Sequence, residues 1–190
     1  MEQIPENKSF SPYTYVLLRQ IHPQIGISRS GIQMMDIIIY DLFDRLSNTA
    51  IETAKETKEI TQIVLDHALY SVYDRELSKH GSVDAIRAMR RFQSNQNQDS
   101  DTSKAGLVFS AGLVHRLLQS KTTYRFERFV PIYLAAVLEY VSAEILELGG
   151  NCVIEIHKHI IEPKHLILGI KSDKELSDLL DSVLMKLSNK

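Results

Sequence analysis

Between Ser30 and Glu56 the chain has no proline, and no glycine after Gly31. Met34, Met35, Ile38, Leu42, Leu46 and Ala50 recur there, after the adjacent methionines, at steps of three or four residues. That spacing predicts a long helix over about 32–55. A second such stretch is "PIYLAAVLEYVSAEILELGGN", Pro131 to Asn151. At about 100° per residue, Leu134, Val137, Leu138, Val141, Ile145 and Leu148 share one arc, while Glu139, Glu144 and Glu147 fall on the other side. The stretch is long enough to span a bilayer. Three mid-helix carboxylates, however, would each cost about 2–3 kcal/mol in lipid. The pattern predicts an amphipathic helix of a soluble protein, running from Pro131 to about Ile156.

Shorter elements flank each long helix. Ser11 and Pro12 mark an N-cap and first position for a helix to about Gln20. "IHPQIGIS" interrupts it with Pro23 and Gly26, and Ser28 caps the long helix. After a break at Thr57–Ile60 come a short helix from Thr61 to about Tyr73 and an amphipathic one from Glu76 to Phe92. Later in the chain, Ser110 caps "AGLVHRLLQS", Lys121–Val130 form a loop, and "HKHIIE" is a loop after the second long helix. Pro163 starts another short helix and "DKELSDLLDSVLMKL" makes the last. Between the two series lies "QSNQNQDSDTSK", Gln93 to Lys104, with no apolar residue; it reads as a flexible linker. A short, a long, a short and a C-terminal helix thus occur twice, a degenerate internal repeat of an all-α unit. Each part is small for independent stability, so the two are expected to share a core.

Composition narrows the chemistry. Of 190 residues 44% are hydrophobic, enough for a sizeable core, and the net charge of −2 argues against a strongly basic nucleic-acid binder. Cys152 is the one cysteine, which excludes an internal disulfide and fits a reducing, intracellular compartment. The opening "MEQIPENKSF" is polar and acidic, neither a signal peptide nor a basic arm. His157, His159 and His165 without cysteine partners make a weak zinc pattern. Cys152 reads as core rather than nucleophile, the Met34–Met35 pair as core packing, and His67 and His115 as hydrogen-bonded structural residues. No phosphate-binding glycine loop, nucleophile elbow or metal motif occurs, so no enzymatic activity, cofactor, metal or small-molecule substrate is expected.

Longer segments carry a resemblance. "AGLVFSAGLVHRLLQS", "PIYLAAVLEYVSAEILELGGN", "EPKHLILGIKSDKEL" and "LLDSV" resemble core histone 2A, in that order. "SFSPYTYVLLRQIHPQIGIS", "DLFDRL" and "RELSKH" resemble core histone 2B. The chain therefore resembles a fused histone doublet of the kind some giant DNA viruses carry. The resemblance implies two tandem histone folds forming an intramolecular heterodimer, or handshake: a 2B-like fold over 1–93, a linker over 94–103 and a 2A-like fold over 104–190. Fusion holds the halves at high effective concentration. The implied function is DNA packaging with a histone 3-type/4-type pair in a nucleosome-like particle, in a nucleus, viral factory or virion. Its contacts to double-stranded DNA would be sequence-independent. Arg29, Lys55, Lys58, Lys121, Arg125, Arg128 and Lys158 in the loops, with Arg116 on a helix, are the implied DNA contacts. Helix starts at Ser28, Pro131 and Pro163 would add phosphate contacts. Glu139, Glu144, Glu147, Asp173 and Glu175, with Glu76 and Asp84, match the histone acidic patch, which docks arginine anchors of chromatin factors and basic tails. Glu76–Phe92 would dock on the 4-type partner.

The same alignment exposes departures. Ile160 stands where the second 2A loop has an arginine, and "KETKEI" is about two residues shorter than its 2B counterpart. Leu113 and Gln119 replace basic positions, Lys174 reverses an acidic one, and the loop "SKTTYRFERFVP" is rebuilt around aromatics. Both lysine-rich tails are absent or reduced, and ending at Lys190 leaves little C-terminal docking tail. Fewer phosphate contacts imply weaker, still salt-sensitive binding. Two competing readings follow: a tandem histone-fold module that contacts proteins or membranes without wrapping DNA, and a histone-fold transcription-factor subunit.

Overall fold

The two long periodic stretches form the two longest helices of the chain: α2 spans Arg29–Thr53 and α7 spans Val130–Glu155 in a computed structural model that describes residues 9–97 and 99–188. The polar opening residues 1–8, Gln98 of the linker and the chain end at 189–190 lie outside the described residues. The remaining helices are α1 (Ser11–Ile21), α3 (Gln62–Val72), α4 (Arg75–Ser94), α5 (Asp101–Ala105), α6 (Ala111–Lys121), α8 (Pro163–Ser172) and α9 (Lys174–Ser188). Four two-residue strands punctuate them: β1 (Gly26–Ile27), β2 (Glu59–Ile60), β3 (Arg125–Phe126) and β4 (Ile160–Ile161). The architecture is predominantly helical, as the all-α reading expects.

Local caps start several helices where the sequence places them. Ser28 accepts from the Gly31 amide at 3.1 Å, Thr61 from Val64 at 3.4 Å and Ser110 from Leu113 at 3.1 Å. Each such bond satisfies an amide that the helix itself leaves unpaired. Ser11 is different. It is the first helical residue, and Phe10 at the cap position makes no side-chain cap bond. The start of α1 is fastened instead from α2: Asp36, 7% exposed, accepts from the Phe10 amide at 2.8 Å. The same carboxylate accepts from the hydroxyls of Ser9 and Ser11 at 2.6 and 2.7 Å. A tertiary carboxylate thus replaces the expected local cap.

The linker is shorter than its composition suggests. α4 continues to Ser94, and Asp101–Ala105 form a helix inside the stretch read as flexible. Ser100 caps that helix through the Ser103 amide at 3.2 Å, and Gly106 closes it at φ 69°, a conformation that disfavours any other residue. Ala105 is fully buried beneath it.

The chain divides into two compact units that do not follow the linker. One takes the chain up to Asp41 and from Val141 onward; the other is Leu42–Tyr140. In the first, β1 pairs with β4 in parallel, Gly26 opposite Ile160 and Ile27 opposite Ile161. The Ser28 amide extends the pairing to the Ile161 carbonyl at 2.8 Å. Phe10 packs edge-on against Tyr40, and α8 lies so close to α7 that a side chain on Gly169 would meet the Gly149 amide at 2.8 Å. In the second, β2 pairs with β3 in parallel, Glu59 opposite Arg125 and Ile60 opposite Phe126. There the first nine residues of α7, Val130–Leu138, are all buried, not only the expected arc. The Tyr133 hydroxyl donates to Asp66 of α3 at 2.6 Å, and α4 approaches α7 at Gly81. A helix apolar all round is one packed all round. Parallel pairs require long connections, here the intervening helices.

Replacing Asp36 by Ala strands one buried amide and two hydroxyls, and should cost about 2–3 kcal/mol in a urea unfolding experiment. Asp36→Asn, which keeps one acceptor oxygen, should cost less. Equal midpoints for wild type and the Ala variant would show that the clamp contributes nothing.

Candidate functional site

The unit formed by Leu42–Tyr140 gathers most of the expected cationic residues around the β2–β3 pair. Lys58 sits at φ 55° just before β2, and its backbone carbonyl accepts from the Arg125 amide at 3.0 Å, so the two cationic residues adjoin. Arg125 is exposed. The Lys58 ammonium donates to the Tyr124 hydroxyl at 2.9 Å and lies 4.6 Å from that ring's centre. Lys55 is exposed and pairs with Glu52 at 2.6 Å, which holds the Glu52 carboxyl below and the Lys55 ammonium above their ordinary values. Arg116 is exposed on α6.

Two further expected residues have partners within the fold, Lys121 largely covered and Arg128 exposed. Lys121 is only 21% exposed at its side chain; it donates to Asp44 at 2.7 Å and lies over the Phe43 ring. Arg128 stacks on Phe92, 4.8 Å from the ring centre, with Asp101 at 3.5 Å. Aromatic rings of the rebuilt loop and its surroundings, Tyr124, Phe43 and Phe92, thus engage three of the cations, Lys58, Lys121 and Arg128. Phe126 is used differently, edge-on against His115 at 5.2 Å.

The other unit offers two permanent cations at its β1–β4 pair, Arg29 at the start of α2 and Lys158 in the turn after α7, both exposed. Ile160, at the position where the resemblance expects arginine, is 55% exposed. At Lys158 is a groove of about 450 Å³ whose lining includes His22, Ile25, Ile154, His157, Lys158 and His159. The histidine pair was visible in the sequence; the third histidine and the groove were not, because His22 belongs to a distant segment.

The acidic residues divide between the units. In the Leu42–Tyr140 unit, Glu139 is not a solvated charge. One of its oxygens accepts from the Val108 and Phe109 amides, both at 2.7 Å, ahead of α6. Burial pushes its carboxyl above the ordinary value, with nearby Asp84 adding to the rise and the two amides and Arg91 opposing it. Asp84 pairs with Arg87 at 3.0 Å, and Glu76 is exposed with Lys79 and His80 at 3.7 and 3.8 Å. In the other unit Glu147 is exposed, while Glu144 and Glu175 are half-buried. Asp173 caps α9 through the Leu176 amide at 2.8 Å, and Lys174 pairs with Asp178. Two of the seven carboxylates, Glu139 and Asp173, thus have structural work that the sequence did not announce.

The other residues that the sequence singles out have local structural partners. His165 is 4% exposed and its Nδ1 accepts from the Glu162 amide at 3.0 Å, capping α8. Burial holds its pKa down. His67 shares a 3.3 Å contact with Thr53. Burial, then Glu155, pushes the Cys152 thiol up, away from thiolate. Among the described residues no cluster of three or more His, Cys, Asp or Glu is suited to a metal ion, and no helix is long and apolar enough to cross a membrane. No protein-family model matches the chain.

Glu139 makes a pH prediction. Its folded carboxyl lies above the ordinary 4.5, so the folded state holds the proton more tightly than the unfolded chain. The stability this contributes is complete below that ordinary value and is lost as pH rises through the folded value. Glu139→Gln keeps an acceptor without the charge, so its stability relative to wild type should increase between pH 4 and pH 7. Glu139→Ala should lose about 1–3 kcal/mol, because two amides lose their acceptor. A Gln variant with the same relative stability at both pH values would contradict the assignment.

Proposed function

We propose that the chain is a fused pair of histone folds, a 2B-like half followed by a 2A-like half, that packages DNA together with a 3-type/4-type histone pair. The observation that supports this best is reciprocal loop pairing. β1, between the first and long helices of one half, pairs with β4, after the long helix of the other. β2 and β3 make the same exchange with the roles reversed. Each compact unit accordingly takes the beginning of one half and the end of the other, as a head-to-tail pair of folds requires. The β2–β3 pair also brings cationic residues from separate loops together, Lys58 with Arg125, while Arg29 and Lys158 flank the β1–β4 pair. Cations so placed meet phosphates without reading bases. The cargo would lie in a nucleus, viral factory or virion.

Chromatin factors or basic tails would dock on the exposed Glu76 and Glu147, with Asp84, Glu144 and Glu175 beside them on their respective units. A second reading, an interaction module that does not wrap DNA, is favoured by the net charge of −2 and by the internal partners of Lys58, Lys121 and Arg128.

Reconstitution with a 3/4-type pair and DNA, followed by nuclease digestion, separates the two. Packaging predicts a discrete protected fragment longer than the 3/4-type pair protects alone. Lys58→Ala with Arg125→Ala should weaken DNA binding similarly across sequences and reduce the salt slope by about one for each lost phosphate contact. No added protection at low salt would leave the interaction module as the reading.

A further inference from the structure

The groove beside β1–β4 has an unusual lining for a site that meets phosphate. Its charge-bearing side chains are Lys158 and three imidazoles, His22, His157 and His159; no carboxylate lines it. Ile25 and Ile154 supply apolar wall. The β2–β3 pair of the other unit is served by permanent cations, Lys55, Lys58 and Arg125. The two strand pairs therefore differ in kind, since imidazole is the side chain whose ordinary charge change falls between pH 5 and 8.

The imidazoles are positioned by the backbone. His22 lies against α7 at Gly150, where an added Cβ would fall 2.2 Å from the ring. Its Nε2 is 3.1 Å from the Glu147 carbonyl oxygen, which can only accept, so Nε2 carries hydrogen and Nδ1 is the atom left to gain a proton. His157 is held at φ 54° with its amide bonded to the Ile154 carbonyl at 3.0 Å. The His159 carbonyl accepts from the Gly26 amide at 2.7 Å, at the edge of the strand pair. Other charged groups on the surrounding elements are Arg19, bonded to the Pro23 carbonyl at 2.6 Å, Glu147 and Glu155 on α7, and Arg29 on α2. Before α8, Glu162 is neutralised by Lys164 at 2.8 Å. His165 is buried and occupied as a cap.

We propose that this groove is a phosphate seat that fills when its imidazoles are protonated, making the chain's hold on DNA at the β1–β4 end acid-dependent. The inference rests on the DNA-packaging reading and concerns one end of it. Protonation adds positive charge and converts each ring into a donor at both nitrogens, where a phosphodiester presents only acceptors. Release at higher pH follows from loss of the same charges, with Lys158 remaining in the lining.

The test measures binding of the full chain to a mixed-sequence duplex of about 20 base pairs, at low salt, at pH 5.5 and 8. Three further proteins are compared: His157→Asn/His159→Gln, His159→Arg, and Lys58→Ala/Arg125→Ala. Wild type should bind about tenfold tighter at the lower pH, as expected for one or two additional phosphate contacts. The double histidine variant should show a difference of about twofold or less, and His159→Arg should recover tight binding at pH 8. Asn at position 157 tolerates the left-handed backbone, and circular dichroism at both pH values checks that each variant is folded. The Lys58/Arg125 variant should weaken binding at both pH values. If it does so while the double histidine variant keeps the wild-type pH difference, the seat is refuted and the packaging reading stands. If wild type binds at neither pH, both fall.

Discussion

The structure depends on segments far apart in sequence closing on one another. β1 pairs with β4, β2 pairs with β3, and each compact unit holds residues from both sides of the linker. Two-residue parallel pairs contribute few hydrogen bonds, so they do not hold the units alone. They fix the register at which apolar side chains such as Met35 and Ile38, or Val137 and Leu138, become buried. Burial of those side chains supplies most of the stabilisation, at roughly 25 cal/mol per Å² of apolar surface. The parallel direction of both pairs makes the long intervening helices obligatory.

A second device appears twice. A carboxylate on a long helix accepts the amide of a buried phenylalanine ahead of the short first helix: Asp36 for Phe10, Glu139 for Phe109. Both phenylalanines are followed by serine, Ser11 and Ser110, so the degenerate repeat has a shared physical core even where the sequences diverge. The cost is that Glu139, which matches an acidic docking position only through the resemblance, has an oxygen committed to two backbone amides. The exposed charges left on the surface are then Glu76 in one unit and Glu147 in the other, a thinner acidic surface than seven matched positions imply.

Most helices were legible because apolar spacing and serine, threonine or proline at their starts are local signals. α2, α3, α6, α7 and α8 fall within a few residues of their expected bounds. Several misses share one cause: information held by a partner distant in sequence. Asp36 as the cap of α1, Lys121 folded onto Asp44, and His22 joining His157 and His159 involve pairings that no window of sequence contains. α5 was hidden differently. Its polar composition matched a linker, while Ser100 and Gly106, the start and stop signals, lay in plain view. The β pairs could not be read at all, since two residues carry no alternation. The cationic loop residues were identifiable as such; whether an aromatic or carboxylate neighbour would claim them was not.

Separation of the halves tests the central claim most directly. Residues 1–93 and 104–190 would be produced individually and as a mixture, and their helicity and urea unfolding compared with the intact chain. Because every compact unit draws on both halves, each half alone should show low helicity and no cooperative transition. Mixing should restore both, with a midpoint that rises with concentration. Two halves that each fold cooperatively alone, with no gain on mixing, would contradict the account.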